Sequence, residues 1–382
     1  MAPISASCRS AGITMIDQII LKIASRCNLN CSYCYLYNHE DSSWRERPKF
    51  ISDDVFDHTL EVIRAYCQRR VAHRISLVFH GGEPTLIGPA RLTALSDRAR
   101  SVLGSSLASI AIQTNGTRLN DKMVDAIARS GIDVGLSLDG PAHIHDATRV
   151  THANRGSHAA AILGLQRLRR AGLEPVALCV VNPYVSGKDV YKHFREIGLT
   201  CITFLLPDVS HDNKQSLYSS ESKTPVADYL IPVFDSWLDE DDPNVVVRPF
   251  TDLIAATMGG ETGGDLFGNP LQTYVIVETD GSIETLDTLR VCSSGITRTK
   301  LNVLNHTFDD IEELNPLLHR MINVGFPPSA TCEQCNERAI CGGGYLPHRY
   351  SRAREFDNPS VWCEDIKKIF RHIRSVAGLN AQ

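Results

Sequence analysis

At 382 residues and 42.2 kDa the chain exceeds one ordinary core, so two domains, or one barrel with an extension, are expected. Its 43% hydrophobic and 22% charged residues are those of a soluble globular protein, and a net charge of −5 argues against a broad nucleic-acid-binding surface. No eighteen-residue apolar run and no secretory signal in MAPISASCRSAGITMIDQ are found, which predicts no membrane span and a cytoplasmic location where cysteines stay reduced.

After a tail over 1–17, short apolar, β-branched runs recur: QIILKIAS (18–25), RISLVFH (74–80), SIAIQTN (109–115), IDVGLSLDG (132–140), PVALCVVN (175–182) and LTCITFLLP (199–207). Helical periodicity fills the gaps over 52–69, 90–103, 120–129, 157–171 and 187–197, with a further helix over 226–238. Six strands, each followed by a helix, predict an α/β fold built on a parallel sheet. A partial (β/α)6 TIM-like barrel and a doubly wound sheet both satisfy that pattern. Both gather chemistry at the carboxyl ends of the strands. The residues of interest lie there: a three-cysteine loop after the first strand, HGGEP after the second, TNG after the third and SLDG after the fourth.

Beyond this 18–240 core the pattern changes. DEDDPNVVVRP and GGETGGDLFGNP read as loops, and TYVIVETDGSIETLD reads as a hairpin around Asp280-Gly281. A helix over 309–322 completes a bridging region, 241–330. The last part, 331–382, holds a second cysteine group and a helix from Cys363 onward.

Twelve cysteines in a reducing compartment point to metal or redox roles. Cys179 and Cys201 sit in apolar runs and read as inert core thiols. Cys27, Cys31 and Cys34 are spaced C-x3-C-x2-C with no fourth cysteine nearby, which suits an open metal site; His39 would close a zinc alternative. CNLNCSYC, with Tyr33 before the last cysteine, resembles the signature of radical S-adenosylmethionine (radical SAM) enzymes. The resemblance implies a [4Fe–4S] cluster on Cys27, Cys31 and Cys34 whose open iron takes S-adenosylmethionine. It also implies cofactor contacts from Tyr33, from Gly81, Gly82 and Glu83 of HGGEP, from Asn115 of TNG, and from Ser137 and Asp139 of SLDG. Arg149 of DATRV is implied to pair with the cofactor carboxylate, and Val181, or its neighbour Val180, to pack on adenine.

Cys332-x2-Cys335-x5-Cys341, followed by Cys363, permits a zinc site. It also resembles the SPASM-type extension of peptide-modifying radical SAM enzymes. The fourth position of the usual cysteine run falls on Tyr345, so the resemblance implies one auxiliary [4Fe–4S] cluster held by Cys332, Cys335, Cys341 and Cys363. Cys292 is then a free thiol, with a substrate-proximal ligand as the other option.

SRCNLNCSYCYLYNHEDSSWRERP and CGGGYLPHRY…FDNPSVWCEDI resemble FxsB-type peptide maturases, which join an aromatic ring carbon to the β-carbon of a nearby residue. The expected partners are therefore a ribosomal precursor peptide and a reductase, flavodoxin or ferredoxin donor, with no nucleic acid and no membrane. Asp280 is the candidate proton acceptor, although Asp-Gly is also an ordinary turn. Trp44, Arg45 and Arg47 are candidates for the substrate entrance. The alternatives are thioether formation, sulfatase formylglycine formation, epimerisation, or a zinc scaffold without catalysis.

Overall fold

A computed structural model describes residues 16–218, 221–260 and 271–378. Six parallel strands appear where the alternation predicted them: β1 (Gln18–Ala24), β2 (Ile75–Gly81), β3 (Leu107–Thr114), β4 (Asp133–Ser137), β5 (Val176–Val180) and β6 (Cys201–Leu205). A two-residue β7 (Val246–Val247), then β8 (Tyr274–Val277) and β9 (Ile283–Glu284), complete one sheet in the order β7-β6-β5-β4-β3-β2-β1-β8-β9. Consecutive strands are neighbours with no reversal of order, which selects the partial barrel over the doubly wound sheet.

Strand parity decides which side chains meet the helices and which meet the lumen. Ile19, Leu21, Ile75, Leu77 and Phe79 are fully buried and pack with Phe56, Leu60 and Ile63 of the helix Asp53–Gln68. That helix starts where predicted because the Ser52 side chain accepts from the Val55 N–H. The opposite parity carries Lys22, His80, Gln113, Ser137 and Thr203 toward the inside. Lys22 and His80 are register partners on β1 and β2. Gly135 leaves room for this layer: a Cβ there would lie 2.0 Å from Gln113 Oε1, and the Gln113 amide crosses it to donate to Ser137 Oγ at 2.9 Å.

A second core joins β4–β6 to the C-terminal helix Cys363–Val376 through Trp362, Ile366, Ile369 and Phe370. Asp365 of that helix accepts from the Val226 and Ala227 N–H groups at 2.7 and 2.9 Å. It caps the helix Pro225–Glu240, whose own Thr224 makes no side-chain cap.

Several expectations are corrected. The segment read as a loop near 249 holds β7 and the helix Arg248–Thr257, with Pro249 in its first turn, where proline suits a helix. The hairpin forms with Gly281 at φ 85°, but β8 also pairs in parallel with β1, a long-range contact no local pattern announces. The helix expected over 309–322 is broken at Asn315–Pro316 into short turns. Most of the tail and most of the glycine-rich GGETGGDLFGNP stretch lie outside the described residues. No helix among the described residues is long and apolar enough to cross a membrane.

Candidate active site

The loop after β1 carries the three cysteines and is locked to its neighbours by main-chain bonds. Asn30 N donates to Val150 O at 2.7 Å and Ser32 N to Thr148 O at 3.0 Å; Gly82 N and Glu83 N donate to Ala24 O and Arg26 O at 2.9 and 3.0 Å. The two glycines of HGGEP are required by this contact. A Cβ on Gly81, at φ 142°, would meet Ala24 O at 1.9 Å, and one on Gly82 would meet Arg26 O at 2.4 Å and Tyr37 Oη at 2.0 Å.

Cys27, Cys31 and Cys34 line a cavity of about 480 Å³ at the carboxyl ends of the barrel strands. Tyr33, Gly81, Gly82, Asn115, Ser137 and Arg149 share its wall, so the structure brings these expected site residues together. The thiols ring the volume; among the described residues no three His, Cys, Asp or Glu side chains close on a single-ion site. Burial, helped by Glu83, pushes the Cys27 thiol up to about 12. Burial likewise raises Cys31 to about 11, against the pull of Arg149, and raises Cys34. Three thiolates here need a compensating cation, which an iron–sulfur cluster supplies. Two donors already face the Cys27 sulfur: Leu29 N at 3.3 Å and Asn115 Nδ2 at 3.8 Å. The donor set fits the cluster. His39 lines a separate cavity of about 260 Å³ and does not complete the thiol set.

That second cavity holds Asp139, Val180 and Val181 beside Tyr33. Asp139 organises the boundary between the two. It accepts from Tyr33 Oη, from Arg149 Nε at 2.7 Å and from Val180 N at 3.1 Å, while its own N–H donates to His145 Nδ1 at 3.2 Å. Arg149, stacked 5.4 Å from the Tyr33 ring, stays firmly cationic: burial works against the charge, and Asp139 outweighs it.

Glu83 sits beside the cysteine loop, close enough to act on Cys27, with its carboxylate bonded within the fold. It is 1% exposed, and its carboxylate accepts from Thr85 N (3.0 Å), Thr85 Oγ1 (2.5 Å), Thr114 Oγ1 (2.7 Å) and Asn115 N (2.8 Å). It joins the ends of β2 and β3 and does not line the main cavity. Burial raises its pKa against those hydrogen bonds.

Asp280 is not at the cavity either. Its carboxylate accepts from Ser282 N at 3.0 Å inside the hairpin turn, the ordinary role of that residue type. Asp208 and Asp252 line the cavity, and a third carboxylate, Asp287, stands just behind its wall: it is 6% exposed, bonded to Lys22 Nζ and, at 2.9 Å, to the cavity-lining Tyr35 Oη. Burial disfavours its charge, yet Lys22 beside it holds Asp287 below the usual carboxylate range. The sequence signal for this group was Lys22, a lysine inside an apolar strand that must find a partner.

Arg47, expected at the entrance, is instead 7% exposed and paired with Glu278 at 2.6 Å and with Glu284. Trp44 stacks between Arg26 and Arg45 at 5.1 and 5.3 Å. Cys332, Cys335, Cys341 and Cys363 line one small cavity. Burial pushes Cys341 up to about 12 and raises Cys363, so this four-thiol set also suits a cationic cluster. Cys292 is buried and donates to Pro347 O at 3.6 Å, lining neither cysteine cavity. Tyr345 lines the main cavity and bonds Thr288 at 2.6 Å.

Comparison with known proteins agrees with this geometry. The Radical SAM superfamily model matches residues 21–197. A cysteine-type anaerobic sulfatase-maturating enzyme of Clostridium novyi (strain NT) is 25% identical over 363 residues, covering 93% of this chain and 94% of the relative. A serine-type anaerobic sulfatase-maturating enzyme of Bacteroides thetaiotaomicron is 25% identical over 378 residues, covering 93% and 88%. The structure of native anSMEcpe with bound AdoMet and Kp18Cys peptide superposes with a TM-score of 0.80 at 24% identity, covering 94% of this chain and 99% of that one. Streptococcus suis SuiB bound to its precursor peptide SuiA gives 0.57 at 16%, covering 92% and 77%. At these identities the structural likeness is one of fold. Thiol spacing, strand order and family match converge on a stretch, residues 21–197, that is similar to the Radical SAM superfamily, with S-adenosylmethionine and [4Fe–4S] clusters as cofactors.

Proposed function

We propose that the enzyme oxidises the β-carbon of a residue in a peptide and joins it to a nearby aromatic ring, forming a cyclophane. One observation carries this reading. A charged, buried carboxylate, Asp287, lies behind a cavity wall in which Tyr35, Tyr345, Leu178, Phe204 and Leu205 form an apolar part suited to an aromatic ring, with Asp208, Arg248 and Asp252 on the rest of the wall. The bound cofactors supply hydrogen-atom abstraction from an unactivated carbon. The remaining work falls to the protein. Arg149, Asp139 and Tyr33 hold the cofactor side of the cavity, and the apolar wall excludes water from a carbon radical. Closing the carbon–carbon bond removes one hydrogen atom from the β-carbon, and one proton and one electron from the ring. Asp287 takes the proton; Cys332, Cys335, Cys341 and Cys363 would hold an auxiliary cluster, which when bound would supply an acceptor for the electron.

A second reading, formylglycine formation on a sulfatase, is favoured by the relatives, which are sulfatase-maturating enzymes matching 93% of the chain. It shares the first step and needs the same base. Anaerobic turnover of a co-expressed precursor peptide, followed by mass spectrometry, separates the two. The cyclophane gives a peptide lacking two hydrogens that resists hydroxylamine; formylglycine gives an aldehyde that reacts. A mass-neutral product sinks both.

The base assignment has its own test. Asp287→Asn is expected to lower cross-linked product about 100-fold while 5′-deoxyadenosine still forms, as loss of a general base does. Asp280→Asn should stay within about twofold, as surface substitutions do. Equal effects from the two would remove Asp287 from the mechanism.

A further inference from the structure

Lys22 lies in the middle of β1, 1% exposed, in a run that is otherwise apolar. A methionine would fill that space, and a buried ammonium needs partners to be tolerated. It has two. Lys22 Nζ donates to Asp287 Oδ2 and lies 3.1 Å from His80 Nδ1. An ammonium carries donors only, so His80 Nδ1 accepts and the ring proton sits on Nε2. The His80 ring lines the reaction cavity, as does Tyr35, whose hydroxyl donates to the same Asp287 oxygen at 2.9 Å.

The charged groups facing this cluster are few: Asp287, Arg290 and Glu284 act on Lys22, and Lys22 and Asp287 act on His80. Burial lowers Lys22 against the pull of Asp287. Burial and the adjoining Lys22 cation hold His80 down to about 3, so its imidazole is neutral throughout the physiological range. Geometry and charge therefore agree on one protonation pattern.

Resting on the peptide-oxidising reading above, we propose that Lys22 is a positioning residue of the reaction cavity. It fixes Asp287 as the carboxylate that accepts a proton, and His80 as the neutral Nε2–H tautomer. The cavity wall then offers the His80 Nε2–H as a donor to the carbonyl oxygen of a peptide segment whose neighbouring carbon is oxidised, with Asp287 one hydrogen bond behind the wall through Tyr35 Oη. Lys22 acts through both partners and touches no substrate itself.

The test uses the full-length, cluster-loaded enzyme labelled with ¹⁵N-histidine, with the His80 signal assigned by its loss in His80→Gln. The wild-type signal is expected to show the Nε2–H tautomer and no titration from about pH 8 to about pH 5, a window in which a free histidine would titrate. Lys22→Met removes the repelling cation and leaves Asp287 and the burial in place, so His80 should protonate at a higher pH than in the wild type. Lys22→Arg should restore the silent signal, which a packing role alone would not do. A wild-type His80 that protonates near pH 6.5, carries its proton on Nδ1, or ignores Lys22→Met overturns the proposal. If Lys22→Met does not fold, the wild-type tautomer and titration decide. The histidine signal is independent of product chemistry, so a failed cross-linking assay with a silent Nε2–H His80 counts against the reaction and not against Lys22.

Discussion

Cys31→Ala is expected to abolish reductive cleavage of S-adenosylmethionine and to remove about half of the iron from anaerobically reconstituted protein, since one of two four-iron clusters is lost. Three thiolates are the fewest that hold a cluster while leaving one iron open, and Cys31 stands between the other two in the loop. Its sulfur also lies in the field of Arg149, which favours the thiolate. The two remaining thiols are buried, and Cys27 is held up to about 12 by burial and Glu83, so they cannot retain the charge alone. Cys363→Ser should differ: its site is the second, small cavity, so 5′-deoxyadenosine formation continues while the auxiliary cluster signal is lost. Iron content, the visible spectrum and 5′-deoxyadenosine yield check both variants. Full iron and undiminished cofactor cleavage in Cys31→Ala would falsify the assignment of the first cluster.

Arg290→Met is expected to destabilise the fold by about 3–5 kcal/mol, the cost of removing one partner from a buried ion-pair network. Arg290 is 1% exposed and pairs with Asp41 at 2.9 Å, with Glu278 at 3.1 Å and with Glu284. Arg47 shares Glu278 and Glu284, so the network holds three carboxylates against two guanidinium groups. Without Arg290, Arg47 remains for Glu278 and Glu284, and Asp41 loses its guanidinium partner. Burial works against ionised Asp41, yet hydrogen bonds from Ser43 and Gly295 and the Arg290 charge hold it down at about 2. A depressed carboxylate stabilises the fold fully above about pH 4 and loses that contribution as pH falls toward its folded value. The acid limb of the wild-type stability curve should therefore lie at lower pH than that of Arg290→Met. Thermal unfolding across pH 3–8 reads both effects, and an unchanged midpoint at neutral pH would show that the network carries no net stability.

Much of this arrangement was legible because local patterns cause it. Apolar alternation with β-branched residues placed β1 to β6 to within a few residues, and their sequential pairing follows from helical crossovers. The cysteine spacings and the HGGEP glycines were equally readable, since loop geometry determines them. Asp287 was not. It carries no motif of its own and is defined by contact with Lys22, 265 residues away. Asp280 was the candidate because SPASM-type enzymes place an acid near the hairpin, and its Asp-Gly pattern, the ordinary turn signal, describes what it does here. Glu83 shows a related ambiguity: a carboxylate beside two glycines suits an ammonium ligand, but Thr85, Thr114 and Asn115 supply its hydrogen bonds from within the fold. The parallel pairing of β8 with β1, and the buried position of Arg47, are likewise products of long-range contact.

The interlock between the cysteine loop and the HGGEP turn bears on how such a domain can be re-engineered. Gly81 and Gly82 lie against the Ala24 and Arg26 carbonyls, and no side chain fits between them. Residues 24–34 and 80–84 therefore form a single transplantable cassette, although 45 residues of chain and a whole helix separate them. A chimera that exchanges the cysteine loop alone would inherit a mismatched seat for it. One that moves both pieces together carries the seat along.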